Sequence, residues 1–206
     1  MPRRLIINIR GANASGKTTL MRHFVANMGA SLELRSPDNT KVDFQFCHQP
    51  AELAMPLCVI GKYDDSKYSG CDKIKSADAI EWAVRHAMTE FPGHHIMFEG
   101  FRVSKSYSRF AALRNELTQT GRVRWIWAFL HASHDLICER SEARREDTSR
   151  LIDKEELGRV VKQMNKTRRT VQQLWPEDEV TLDPLTSPDE VYQKLVKALQ
   201  TFEMAD

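Results

Sequence analysis

"GANASGKT", residues 11–18, follows the apolar run "RLIINIR" (4–10) and leads into "GKTTLMRHFVANM" (16–28). The octapeptide completes the pattern G-x-x-x-x-G-K-[ST], and its setting between a strand and a helix gives the match its specificity. Gly11 and Gly16 let the backbone wrap closely, so that successive N–H groups point at phosphate oxygens. The helix that starts near Gly16 adds its positive dipole end. Lys17 places a compact charge on the β- and γ-phosphates, and the Thr18 hydroxyl completes a Mg²⁺ ligand set. The residues expected to hold a nucleotide are therefore Gly11, Ala12, Asn13, Ala14, Ser15, Gly16, Lys17, Thr18 and Thr19. Asn13 adds a side-chain contact to a loop whose interior has no glycine.

Leu20, Met21, Phe24, Val25 and Met28 recur at helical spacing, which predicts a helix over 16–28. "KVDFQFC" (41–47) alternates as a strand does, and "PLCVIGKY" (56–63), "HHIMFE" (94–99), "RVRWIWAFLHA" (122–132) and "EVTLD" (179–183) also read as strands. Helical stretches lie at 76–91, 104–121, 133–147, 153–175 and 187–202, with Ser76, Ser133 and Ser187 as N-caps and Pro188 at N1. Strands alternating with crossover helices predict an α/β fold: a mostly parallel five-stranded sheet with helices on both faces. Ligands in such sheets bind at the carboxyl ends of the strands.

Glu99 ends one of those strands. A carboxylate there faces Mg²⁺ through water or accepts the proton of an attacking hydroxyl. "VIGKYDDSKYSGCDKI" (59–74) holds a second acidic group. Asp64 and Asp65 read as turn residues, and Asp72, before a helix, is a candidate general base. "CERSEARRED" (138–147) carries Arg140, Arg144 and Arg145, with Arg140 and Arg144 one turn apart. Transfer of a phosphoryl group needs mobile positive charge that closes over it, and an arginine-bearing helical lid at about 138–156 would supply it.

The 206 residues are 41% hydrophobic and 28% charged with a net charge of +2, which fits one domain over 1–206 and leaves nucleic-acid contact to local patches. Four scattered cysteines without C-x-x-C spacing point to a reducing compartment. No apolar run reaches membrane length, so the expectation is a cytoplasmic chain without membrane contact.

The phosphate loop, strand-end carboxylate and arginine lid together resemble the small P-loop kinases of the thymidylate kinase superfamily. "IRGANASGKTTL", "VIGKYDDSKYSGCDKI" and "IMFEGFRVSKSYSRF", within residues 9–110, are similar to the bacteriophage 5-hydroxymethyluracil DNA kinases. In that family these pieces are an I-R-G phosphate loop, a G-x-Y…G-C-D segment and an F-E-G-x-x-x-S strand end. The segment before the cysteine often holds two glycines there, whereas Ser69 replaces one here. The resemblance implies phosphorylation by ATP, with Mg²⁺, of a hydroxymethyl group on uracil in DNA. That is a step toward thymine hypermodification, in the cytoplasm of an infected bacterium. It also implies Lys17 on phosphates and Glu99 and Asp72 in the active site. The alternative acceptor is a free nucleoside or nucleoside monophosphate.

Two stretches bear on a DNA acceptor. Arg159, Lys162, Lys166 and Arg169 step by three or four along one helix face, a stripe able to track a phosphate backbone. Arg102, Lys105 and Arg109 interleave with Phe101, Tyr107 and Phe110 just after Glu99. A base stacked on an aromatic ring with cations on its phosphates needs such a mixture, so Arg102, Lys105, Tyr107 and Arg109 are candidate acceptor contacts.

Overall fold

The first strand, β1 (Arg4–Arg10), sends Leu5, Ile7 and Ile9 into one apolar layer and Ile6 into the other. Burial on both faces marks a central parallel strand. The computed structural model describes residues 3–26, 28–48, 51–64, 70–144 and 152–204. In it β1 lies between β5 (His95–Glu99) and β6 (Val123–Leu130), parallel to both. Outside these, β4 (Leu57–Ile60) pairs with β5 and β7 (Glu179–Leu182) with β6, again in parallel.

These five strands are extended by an antiparallel hairpin, β2 (Met28–Arg35) and β3 (Lys41–Cys47), with β3 antiparallel to β4. The sheet is thus seven-stranded, in the order β2-β3-β4-β5-β1-β6-β7, rather than five-stranded. The expected helix over 16–28 is correspondingly shorter: α1 spans Lys17–Val25, and Met28 opens β2. All but one of the β2 residues are exposed, so the strand carries no alternation to distinguish it from the end of a helix.

Helix α1 and α7 (Pro188–Met204) cover one face of the sheet. The other is covered by α2 (Ala77–Glu90), α4 (Tyr107–Thr118) and α6 (Lys154–Leu174). The stretch read as one helix over 104–121 is two, α3 (Phe101–Lys105) and α4, parted at Ser106 with φ −100° and ψ 58°. The helix α5 (His134–Ala143) precedes α6. Ser76 Oγ accepts from Ala79 N at 3.0 Å, and Ser133 Oγ from Leu136 N at 3.2 Å. At Ser187 the cap is reciprocal: Glu190 N donates to Ser187 Oγ at 3.2 Å while Glu190 Oε2 accepts from Ser187 N at 2.9 Å. Among the described residues no helix is long and apolar enough to cross a membrane.

The end of the sheet remote from the phosphate loop is closed by a buried clip. Leu5 N donates to His95 Nδ1 at 3.0 Å, so the ring proton sits on Nε2, which donates to Glu203 at 2.5 Å. Glu203 also accepts from Ala54 N and Met55 N. Burial holds the His95 pKa below its ordinary value, against the pull of Glu203. The unfolded chain therefore takes up the proton first, and this contribution to stability is complete above about pH 6.5 and is lost as pH falls below it. Urea unfolding should show that decline between pH 7.5 and 5.5, and His95→Gln should flatten it. An unchanged slope in the variant would remove His95 as its source.

Candidate active site

The parallel register sets Ile9 opposite Glu99, so the acid stands at the same level as the loop that leaves β1. Within that loop Ala14 has φ 61°, and Gly16, with φ 99°, turns the chain into α1. Lys17 is 6% exposed, and its Nζ donates to the carbonyls of Gly11 and Ala12 at 3.0 Å each. Burial lowers the Lys17 pKa, while Glu99 and Asp72 oppose the shift and Arg144 and Arg10 add to it. The Ser15 hydroxyl is buried without a hydrogen-bond partner among the described residues, whereas Asn13 and Thr19 are exposed.

Glu99 is 1% exposed, and Thr18 Oγ1 lies 3.5 Å from its Oε1. Burial pushes its pKa up to about 7, with Lys17 acting against the shift and Asp72 with it. A hydroxyl beside one carboxylate fits Mg²⁺, which keeps most of its shell as water and phosphate oxygens and takes only one or two protein ligands. Thr18 and Glu99 are the residues that would hold it.

Asp72 lies in a single 3-10 turn, Cys71–Lys73, and its Oδ1 accepts from Phe101 N at 2.8 Å. It thereby caps α3, where Gly100 has no side chain to do so. Asp72 is partly exposed and Oδ2 has no partner among the described residues. Tyr63 forms the floor, its buried hydroxyl facing Glu99 without a well-formed hydrogen bond. The two strands of this loop meet glycine on glycine: a Cβ on Gly61 would fall 2.4 Å from Gly70 C, and one on Gly70 2.6 Å from the Tyr63 hydroxyl and 2.7 Å from Glu99 Oε1.

On the other side of the loop, Ser15, Gly16, Thr19 and Leu20 line a cavity of about 280 Å³ with Leu130, Arg140, Arg144 and the Pro184–Pro188 turn. Arg140 Nη2 donates to Pro184 O at 2.7 Å, which carries the guanidinium over Gly16. Arg140 and Arg144, expected on a lid, both border this cavity beside the phosphate loop. Arg145, the rest of the lid up to residue 151, and Asp65 and Ser69 lie outside the described residues. Asp64 holds Lys73 at 2.7 Å in a turn, as its setting suggested.

The acceptor-side candidates divide. Arg102 donates to the carbonyls of Ile74 and Lys75, and Arg109 is held by Asp78 and by Glu81 at 3.0 Å. Both fasten α3 and α4 to the segment around α2. Tyr107 is partly buried with its ring 5.9 Å from Trp127. Lys105 lies 4.3 Å over Phe101 and 3.4 Å from Glu156.

Arg10, Tyr63 and Ser104 stood in the I-R-G, G-x-Y and F-E-G-x-x-x-S patterns but were given no role by sequence reasoning, and the Pro184–Pro188 turn went unnoticed. Arg10 is fully buried over Trp127, with Nη2 donating to Ser104 O at 2.5 Å, and burial lowers its pKa to about 9. Ser104 Oγ accepts from Gly11 N at 3.2 Å, so α3 is tied to the first residue of the loop. An arginine closing an apolar strand was the available signal for Arg10; the 184–188 turn offered none.

A glycine-bounded loop carrying Lys17 and Thr18 between a central parallel strand and its helix, abreast of a carboxylate on the next strand, defines a phosphate-loop α/β fold. The "5-hmdU DNA kinase" of Pseudomonas phage PaMx11 is 32% identical over 116 residues, 56% of this chain. The matched region spans 59% of that relative's length. No family model matches the chain. Solved structures of similar outline include a gluconokinase from Sinorhizobium meliloti 1021, with TM-score 0.47 and 13% identity over 98% of this chain and 95% of that one. Another is deoxyadenosine kinase from M. mycoides with bound dATP, with TM-score 0.48 and 10% identity over 94% of this chain and 98% of that one.

Two stability predictions come from this geometry. An acid whose pKa rises on folding costs stability above its unfolded value, so Glu99 should lower stability as pH rises from about 4.5 to about 7. Glu99→Gln should therefore raise the unfolding free energy at pH 8, by up to about 3 kcal/mol; urea titration checks this, and a less stable variant would contradict the burial argument. Gly70→Ala should lose about 2 kcal/mol or more, because φ is +63° and the added methyl meets Tyr63 and Glu99. An unchanged thermal midpoint would refute that contact.

Proposed function

We propose that the chain is an ATP-dependent kinase that phosphorylates the hydroxymethyl group of 5-hydroxymethyluracil in phage DNA, a step in thymine hypermodification. The observation that carries the kinase reading is the grouping of Lys17, Thr18, Glu99 and Asp72 about one phosphate loop, with Arg140 and Arg144 beside it. The acceptor is suggested by the phage relative, named for 5-hmdU DNA. The cavity lined by Thr19, Arg140 and the 184–188 turn opens beside Gly16, which suits the base and sugar of the nucleotide.

In this mechanism Lys17 leaves the carbonyls of Gly11 and Ala12 for the phosphates. Arg140 and Arg144 neutralise charge that develops on the transferring group. Bound magnesium would supply Lewis-acid stabilisation of the same oxygens, held by Thr18 and Glu99. Asp72 takes the proton of the attacking hydroxyl through Oδ2, while the new oxygen–phosphorus bond forms and the bond to the leaving diphosphate breaks. Asp72 suits that role better than Glu99, because Glu99 is almost wholly enclosed and Asp72 is not.

The test incubates the protein with labelled ATP and hydroxymethyluracil DNA, unmodified DNA, free nucleosides or monophosphates. Label should enter the modified DNA alone; label confined to the monomers would overturn the acceptor and favour a nucleoside or nucleotide kinase. Lys17→Ala should abolish transfer. Asp72→Asn, which keeps the Oδ1 acceptor for Phe101, should reduce turnover by about 10²–10⁴-fold with ATP affinity unchanged in calorimetry. Loss of ATP binding would contradict its assignment as base.

A further inference from the structure

Between Leu157 and Pro176 the chain carries five cations and no acid. The fold uses them unequally. Arg168 turns inward to Thr181 Oγ1 at 3.1 Å, and Arg159 has Glu156 at 3.4 Å. Lys162, Lys166 and Arg169 are exposed, and their side chains have no ion pair or hydrogen bond among the described residues. At steps of four and three they form one stripe about 10 Å long. It lies opposite Val160, Met164 and Val171, the buried side of α6.

Two arginines elsewhere on this sheet face are treated differently. Arg85 is paired with Glu81 and Glu116, and Arg109 with Asp78 and Glu81. A solvated face is usually interleaved with acids in that way, whereas like charges one turn apart repel. An unrelieved cationic row is stabilised when a polyanion covers it.

The stripe also begins near the candidate active site. Gln163 Nε2 donates to Lys105 O at 3.5 Å, and Lys105 lies over Phe101, two residues beyond Glu99. An aromatic ring, a cation and then three uncommitted cations thus lead outward from the end of β5.

We propose that the outer face of α6 is a DNA-binding track, on which Lys162, Lys166 and Arg169 hold the phosphodiester backbone of the strand whose base is phosphorylated. The proposal rests on the DNA-acceptor reading for its link to catalysis, but the track itself is tested by binding. The triple variant Lys162→Gln/Lys166→Gln/Arg169→Gln is compared with Lys194→Gln/Lys197→Gln, two exposed lysines on α7 across the sheet. Thermal midpoints verify folding. Binding to a fluorescent DNA duplex is followed by anisotropy over a salt series, with transfer kinetics on the hydroxymethyluracil duplex alongside.

The triple variant should lose about 3 from the slope of log affinity against log salt, about one per cation removed. It should also raise KM for the modified duplex at least about ten-fold near physiological salt, with kcat at saturating DNA retained. The α7 variant should match wild type in both. Equal slopes in the triple variant and wild type, or no binding by wild type, would overturn the track. Transfer to monomers alone, with the slope still dependent on the three cations, would overturn the acceptor reading and keep the track.

Discussion

The pairing of Ile9 with Glu99 across two parallel strands is the constraint on which the site depends. It brings a buried acid level with a buried lysine where the chain leaves the central strand β1 through a turn with left-handed residues. Each charge is costly alone, because burial opposes ionisation of both: Lys17 is pushed down and Glu99 up to about 7. Each also limits the other's shift. The arrangement is therefore loaded, with Lys17 resting on two loop carbonyls that are weaker partners than phosphate. A triphosphate bound as proposed would replace those contacts with full charges.

The rest of the molecule keeps this constraint in place from two directions. Arg10 and Ser104 tie the loop's first residue to α3, and Asp72 caps the same short helix from the other side. Asp72 and the phosphate loop are therefore connected through one turn of helix. At the opposite end of the sheet, His95 and Glu203 lock the starts of β1 and β5 to the C-terminal helix. The His95–Glu203 clip is hydrogen-bonded and remote from the site, whereas Asn8 and Gln45, also buried in the sheet, keep side-chain atoms without a partner among the described residues. Polar burial at the site, at Ser15, Tyr63 and Arg10, is left incompletely partnered.

What was legible in the sequence was local. The loop declared itself by glycine spacing, and the caps at Ser76, Ser133 and Ser187 by a serine ahead of a periodic helix. The parallel core followed from buried apolar runs. The failures share a different cause. Strand β2 has no buried face, so nothing in its pattern separates it from the end of α1. The break at Ser106 involves neither glycine nor proline. The partners that hold Arg102 and Arg109 lie 27 to 31 residues away, where spacing along the chain does not show them. Tyr63 was noted only as the tyrosine of the G-x-Y pattern, because its neighbour Glu99 lies on another strand. Spacing along the chain reports helix faces well and contacts across a sheet poorly.

The most direct measurement is hydrogen exchange of the backbone amides of residues 11–19 with and without Mg-ATP. A triphosphate seated on the loop should slow exchange there, with a smaller effect around Arg140 and the 184–188 turn. Unchanged exchange across 11–19 at saturating nucleotide would mean that the phosphates lie elsewhere, and the burial of Lys17 near Glu99 would then be a structural feature without a ligand.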